Sequence, residues 1–250
     1  MNLAKNLLKA VTTTPDLPPL SAFPKSDQVT FNYFTGILHF VDEEFDKAED
    51  RFLEAWKMCD KRSVKHCEII LSHLIPCHIM TKTEVPSKAL LATFPRLEQL
   101  FGPLISAIKR ADLVGFDAAL EVGYRGLVKR RIYLAVLLFR SIVERNIFRH
   151  VALLQRSEST QPIQAAGGGL QIRSRIPLAE FVTAYRLSAQ DRSIDETEVE
   201  CQISNLIHKV CANPISVFAL QCSFRQALLR CVGHRSRRTF CATSERFLFD

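Results

Sequence analysis

Six cysteine and histidine side chains between residues 59 and 78 are the first candidates for chemistry, because thiolates and imidazoles are preferred zinc ligands. They are Cys59, His66, Cys67, His73, Cys77 and His78. No Cys-x-x-Cys spacing occurs in the chain. In a helical register, His66 and His73 share a face from which Cys67 and His78 point away. We therefore predict no metal and no cofactor, and interpret the cysteines as reduced and mostly buried.

No arrangement of residues typical of an active site is present. Ser72 and His73 are neighbours on a predicted helix and belong to no nucleophile motif. The glycine triplet 167–169 follows no predicted strand, so it is not a phosphate-binding loop. The carboxylates of residues 42–50 cluster at a predicted helical turn, where the macrodipole favours acidic side chains. We predict that the chain is not an enzyme and binds no small-molecule substrate.

Basic side chains offer a second kind of chemistry, which is the binding of phosphate groups. The net charge of +7 favours anionic partners. If the basic residues converge, they would bind a nucleic-acid backbone in a sequence-independent and salt-sensitive way. Aromatic residues for base stacking are not interleaved with them, which favours the backbone of RNA or duplex DNA over single-strand recognition. The candidates are Lys129, Arg130, Arg131, Arg145, Arg149, Arg173, Arg175 and Lys209. The alternative is a solvated helix surface.

The elements that must position these residues are predicted to be helices, beginning with two that meet at an acidic turn within residues 31–56. Gly36 lies where another backbone must approach closely. Three residues of the second helix recur at helical spacing, namely Ala48, Phe52 and Ala55. All four occupy the offsets of a tetratricopeptide-type repeat, which stacks on its neighbours because it cannot bury its own apolar face. The pattern predicts a helical solenoid, a class that mostly binds partners.

Glycine and proline are expected to interrupt two of the later helices. An apolar stripe predicts a helix over residues 63–80, which Pro76 should kink. A further helix is predicted to begin near residue 113 and to be broken by Gly123 and Gly126.

The chain is predicted to divide into five segments, the fourth of which has two short helices typical of a winged-helix core. No alternating pattern follows it, so the wing is expected to be degenerate or missing. The segments are a terminal helix with a proline-rich linker (1–27), helical repeats (28–155), a flexible loop (156–175), the winged-helix core (176–210) and a divergent basic tail (211–250).

A helical-repeat solenoid that runs into a winged helix resembles the PCI domain, the module of the proteasome lid, the signalosome and related scaffolds. The motifs are similar to the family of the COP-nine signalosome subunit twelve and the PCI subunit of the TREX-2 mRNA-export complex. In chain order they are FNYFTGILHFVDEEFDKAEDRFLEAW (31–56), HLIP (73–76), FDAAL (116–120), ERNIFRHVALL (144–154), RIPLAEFVTAYRL (175–187) and DETEVECQISNLIHKV (195–210).

The resemblance implies a non-enzymatic scaffold subunit of a TREX-2-type complex, which couples transcription to nuclear mRNA export. Its implied partners are other subunits, bound through the winged-helix region and the solenoid groove, and the backbone of RNA or duplex DNA. The nucleus is the implied location, with the cytoplasm as a second one. The alternatives are a protein-interaction scaffold associated with the COP-nine signalosome, or a truncated inactive paralogue.

Two departures from the family pattern are expected to matter. Family members usually have more helical repeats ahead of this point, so the chain is expected to be truncated at its N-terminus. They also continue into a β-wing, where this sequence changes character near residue 210. No membrane partner is predicted, because no apolar run approaches 18 residues without charge.

Overall fold

The computed structural model describes residues 2–14, 18–158 and 176–212, and all regular structure within these ranges is helical. A 3-10 helix, Leu20–Ala22, precedes the second α-helix. The predicted mostly α, helical-repeat fold is confirmed. The winged helix stays a prediction, because a wing would fall in residues 213–250, outside the described ranges. The α-helices are α1 (Asn2–Thr13), α2 (Lys25–Val41), α3 (Phe45–Met58), α4 (Val64–Lys82), α5 (Lys88–Thr93), α6 (Pro95–Arg110), α7 (Leu113–Lys129), α8 (Tyr133–Leu137), α9 (Arg140–Glu158), α10 (Leu178–Ala189) and α11 (Glu196–Ala212).

The chain divides into two compact units, each of which is described by itself. Unit 1 comprises the described residues of Met1–Gln99 and Arg125–Val136. Unit 2 comprises those of Leu100–Tyr124 and Leu137–Asp250. Helices α1 to α5 therefore lie in unit 1, and the segment predicted to be a winged-helix core lies in unit 2.

The hairpin of α2 and α3 is built on the contact between Gly36 and Phe52. A Cβ atom at Gly36 would lie only 2.7 Å from Cε1 of Phe52, so a larger residue cannot be placed there without moving the ring. Phe52 is fully buried, as are Ala48 and Ala55 on the same face of α3. The predicted hairpin of residues 31–56, with its interlocking small and large residues, is confirmed.

Helix α4 packs against α3 and contributes a histidine to an aromatic cluster. The His73 ring centroid lies within 5.7 Å of three other ring centroids, those of Tyr33, Phe40 and Phe52. Burial lowers the pKa of His73 below its usual value, so the neutral imidazole is the form that the core accommodates. The helix continues through Pro76 as far as Lys82.

In unit 2, α10 packs against α9 through aromatic rings. The ring of Phe148 lies with its centroid 5.7 Å from that of Phe181 and is stacked on Tyr185 at 6.0 Å. The Tyr185 hydroxyl donates a hydrogen bond to Glu144 at 3.2 Å. Helix α11 packs on α9 and α10. Three of its side chains are buried, namely Val199, Ile203 and Leu206.

The predicted break at Gly123 and Gly126 is wrong, because α7 runs without interruption from Leu113 to Lys129. A glycine within a helix costs only about 1 kcal/mol relative to alanine. Leu120 and Leu127 are buried on either side of the glycines. Burial of these leucines outweighs that cost, so tertiary packing overrides the local preference.

Replacing Gly36 by leucine should destabilise unit 1 by about 1–3 kcal/mol, because the added side chain collides with a fully buried ring. The free energy of unfolding in urea measures the effect. The matched control is Thr30→Leu, an exposed position on the same helix, which should change stability by less than about 0.5 kcal/mol. An unchanged urea midpoint for Gly36→Leu would contradict the described packing.

Acidification should weaken unit 1 through His73. Its folded-state pKa lies below the unfolded value of about 6.5, so the unfolded chain binds the proton more readily. The stability that neutral His73 contributes is therefore fully present above the unfolded-state pKa of about 6.5. It is lost as the pH falls through the folded-state pKa. Urea midpoints at pH 7.5 and 5.0 should differ less for His73→Phe than for the wild type. A control at an exposed, non-titrating position of the same unit, Thr30→Gln, should retain the wild-type pH dependence.

Candidate interaction surfaces

The cysteine and histidine group occupies separate environments. The Sγ atoms of Cys59 and Cys67 lie 3.8 Å apart, and both residues are buried. Burial, followed by the neighbouring Cys59, raises the pKa of Cys67 to about 11, which keeps it a thiol. Cys77 is buried elsewhere in α4, and burial raises its pKa as well. Within the described ranges, no three His, Cys, Asp or Glu side chains converge in a way that could hold a metal ion.

Glu49 is a buried carboxylate whose oxygens are engaged by donors from α4. His78 Nδ1 lies 2.7 Å from Oε1, and Lys82 Nζ lies 3.2 Å from the same oxygen. The Thr81 hydroxyl donates to Oε2. Burial alone would raise the pKa of Glu49, but these bonds and charges outweigh it and hold the pKa below its usual value. The carboxylate therefore joins α3 to α4 and is poorly placed to act on a substrate.

The predicted basic residues of unit 1 differ in their exposure. Lys129, at the end of α7, and Arg131, in the following turn, are exposed. Arg130 is half-buried, with its Nη2 atom 2.7 Å from Oε1 of Glu68. Lys129 and Arg131 are thus the better placed of the three for contact with an external anion.

In unit 2, Arg149 is exposed while Arg145 is half-buried. Arg145 donates from Nη2 to Asn146 at 3.0 Å, but its buried Nε has no hydrogen-bond partner among the described residues. Burial, and then the charge of Arg149, lower the pKa of Arg145 to about 10. Arg173 and Arg175 lie outside the described ranges, as does the side chain of Lys209 on α11. The basic surface stays a prediction.

The exposed side of α11 begins with acidic rather than basic residues. In a helix-turn-helix, the first residues of the second helix approach the nucleic acid. Carboxylates at that position would repel phosphate groups. This end of α11 is therefore unsuited to contact with a nucleic acid. The exposed acids are Asp195, Glu196, Glu198 and Glu200.

An exposed stripe of apolar side chains runs along α1, and no sequence motif pointed to it as a binding surface. Leu3, Leu7 and Val11 are 74%, 58% and 48% exposed and follow one another at intervals of four residues. The Nζ atom of Lys5 lies 2.6 Å from Oδ1 of Asp42, and this ion pair joins α1 to the α2–α3 turn. The interval was visible in the sequence, but only the fold shows which face is uncovered. None of the described helices combines the length and apolar character needed to cross a membrane.

A second group for which no role was predicted consists of basic residues around the α3–α4 turn. All of them are exposed in the structure. Their signal in the sequence is a run of closely spaced lysines and arginine over residues 57–65, which no motif explained. The residues are Lys57, Lys61, Arg62 and Lys65.

Comparison with known proteins shows strong similarity over most of the chain, although no family model matches. The Protein CSN12 homolog of Neurospora crassa is 43% identical over 209 residues, which are 83% of this chain and 45% of that protein. The Protein CSN12 homolog of Gibberella zeae is 40% identical over 211 residues, covering 83% and 46%. The PCI domain-containing protein 2 homolog of Dictyostelium discoideum is 30% identical over 208 residues, covering 83% and 44%.

Helical repeats and these relatives together define a PCI-type helical protein. More specifically, the chain belongs to the PCI-domain family related to CSN12, which confirms the resemblance that its motifs indicated. The chain spans somewhat less than half the length of these curated relatives.

Replacing Arg145 by methionine should leave unit 2 as stable or raise its stability by about 1 kcal/mol, because the change removes an unsatisfied buried N–H group. Methionine retains an apolar stem of similar length. Urea unfolding measures the difference. The exposed neighbour provides the control, since Arg149→Met should change stability by less than about 0.5 kcal/mol. A clear loss of stability for Arg145→Met would mean that its guanidinium is better paired than described.

Proposed function

We propose that this protein is a non-enzymatic scaffold subunit of a multi-subunit PCI complex. The observation that carries the proposal is the exposed stripe of Leu3, Leu7 and Val11 on α1. Exposed apolar residues that lie together commonly mark a protein interface. Full burial of one such side chain contributes roughly 1.5–3 kcal/mol. A partner that covered all three would therefore gain a substantial part of its binding energy there.

Within that class, we favour a TREX-2-type complex that couples transcription to nuclear mRNA export. This choice rests on the order of the sequence motifs and on the net charge of +7, which suits contact with nucleic acid. The nucleus is then the main location, with the cytoplasm as a second one. The second candidate is a scaffold associated with the COP-nine signalosome. It is favoured by the name CSN12 homolog, which two of the similar proteins carry.

Contact with the backbone of RNA or duplex DNA forms part of the proposal. The exposed side chains of Lys129, Arg131 and Arg149 support it. The acidic beginning of α11 argues that this contact does not use the first turns of that helix. Binding should be independent of sequence and should weaken steeply as salt is raised. Failure to bind generic RNA and duplex DNA at low salt would exclude this part of the proposal.

Affinity purification of the tagged chain from cells should recover other subunits of a PCI complex. Mass spectrometry then decides between export-complex and signalosome subunits. A variant with Leu3→Gln, Leu7→Gln and Val11→Gln should lose these partners, because it removes the apolar stripe but keeps good helix-forming residues. Far-UV circular dichroism should show unchanged helicity.

The control for this experiment removes exposed apolar side chains from unit 2. Val122, Leu153 and Val114 are 88%, 44% and 38% exposed, and their replacement by glutamine should leave the recovered subunits unchanged. If the α1 variant retained every partner of the wild type, the stripe would not be the interface. If the wild type recovered no such subunit, the scaffold function itself would be wrong.

A further inference from the structure

Unit 1 has a second basic surface, around the turn that joins α3 to α4, which we name the corner surface. None of its members except Arg130 was a predicted site residue. Its cations come from the end of α3, the turn, the start of α4, the start of α6 and the turn after α7. They are Lys57, Lys61, Arg62, Lys65, Arg96 and Arg130.

Glu68 on α4 links two arginines from distant parts of the chain. Its Oε1 atom lies 2.7 Å from Nη2 of Arg130, and its Oε2 atom lies 4.0 Å from Nη1 of Arg96. Since Lys65 precedes Glu68 by three residues on the same helix, it lies on the same side of α4. The cations of α4, of α6 and of the turn after α7 are therefore neighbours in space.

Trp56 connects Lys61 of the α3–α4 turn to the start of α6. The Lys61 Nζ atom lies 3.3 Å from the centroid of the indole ring and donates to the backbone oxygen of Trp56 at 2.7 Å. The ring of Phe94 meets the indole edge to face, with centroids 6.3 Å apart. Phe94 lies two residues before Arg96, so the same contacts hold the start of α6 beside the α3–α4 turn.

The segments of the corner surface carry more positive than negative charge. Asp60 and Glu68 lie among the six cations, while Glu54 precedes Lys57 by one turn on α3 and Glu98 lies in the first turn of α6. Glu68 is already shared by Arg96 and Arg130, while Asp60 accepts a hydrogen bond from the backbone nitrogen of Arg62 at 3.0 Å. Most of the positive charge is thus open to a partner from outside the unit.

Helix electrostatics account for only part of this charge. Lys57 lies in the last turn of α3 and Lys61 donates to the Trp56 oxygen there, where the macrodipole favours cations. Cations are unfavourable at a helix N-terminus, yet Arg62 and Lys65 flank the beginning of α4, whose first turn has no acidic residue. The N-cap residue Ser63 makes no capping bond with its side chain. By contrast, the beginning of α3 follows the rule, with acidic residues before and within its first turn. A local preference that is broken without a structural gain is a mark of a functional surface.

We propose that the corner surface binds the phosphate backbone of a nucleic acid. This inference rests on the proposed function and places a nucleic-acid contact in the helical repeats, apart from the residues chosen from the sequence. Lysines are flexible point charges that suit repeated phosphates. One face of the Trp56 ring is covered by Lys61, and Phe94 packs against the indole. The surface is therefore suited to backbone contact rather than base stacking.

Fluorescence anisotropy with a labelled RNA hairpin and a labelled DNA duplex tests the proposal on the full chain. The corner variant has Lys57→Gln, Arg62→Gln and Lys65→Gln, which leaves the ion pairs of Glu68 and the packing of Trp56 in place. We expect affinity at 50 mM salt to fall by about tenfold or more, with the salt slope reduced by about 0.9 for each duplex phosphate that the variant no longer neutralises. Circular dichroism and thermal unfolding confirm that the variant folds.

The control variant has Lys25→Gln, Lys47→Gln and Lys88→Gln, all exposed positions elsewhere in unit 1. Each variant removes three positive charges, so a general effect of net charge would weaken both equally. We expect the affinity of the control to fall by less than about threefold, since its lysines make no phosphate contact. Equal decreases in the two variants would overturn the inference.

Three other outcomes are informative. If the corner variant binds like the wild type while Lys129→Gln, Arg131→Gln and Arg149→Gln together abolish binding, the corner inference fails and the proposed nucleic-acid contact stands. If the wild type binds no nucleic acid at 50 mM salt, both fail. If polyglutamate of matched length displaces the RNA equally well, the occupant is an acidic protein segment and the inference is wrong.

Discussion

The close approach of α2 and α3 at Gly36 and Phe52 is the constraint on which unit 1 depends. Because Gly36 has no side chain, the Phe52 ring fills the space between the helices. The same ring then meets His73 of α4, so a third helix packs on the pair. This packing also sets the positions of the acidic α2–α3 turn and the basic α3–α4 turn, because each turn joins two helices of this core.

Charge in unit 1 is separated along α3. Acidic residues gather where α3 begins, and basic residues gather where it ends and α4 starts. A helix of 14 residues is about 21 Å long, so the two groups do not neutralise each other at physiological salt, where screening acts over about 8 Å. The buried Glu49 joins α3 to α4 near the acidic end. Unit 1 therefore combines a firmly joined core with two surfaces of opposite charge.

Predictions from the sequence succeeded where the physical cause was local. The spacing of Ala48, Phe52 and Ala55, together with a glycine opposite them, was enough to predict the first hairpin. The same reasoning failed at Gly123 and Gly126, because buried leucines on either side hold α7 together. It also could not separate Arg145 from Arg149, which lie one turn apart yet differ in burial because α9 is only partly covered in unit 2.

The helical class, the PCI family and the excess of positive charge can all be predicted from the sequence, because periodicity, motif order and composition are properties of the chain. Which charges face outwards depends instead on the tertiary structure. Glu68 forms an ion pair with Arg130, and packing buries much of Arg145. Trp56 contacts both Lys61 and the distant Phe94, which brings Lys61 and Arg96 into one region. Exposure depends on what packs against a side chain, and that is set by contacts that no local pattern encodes.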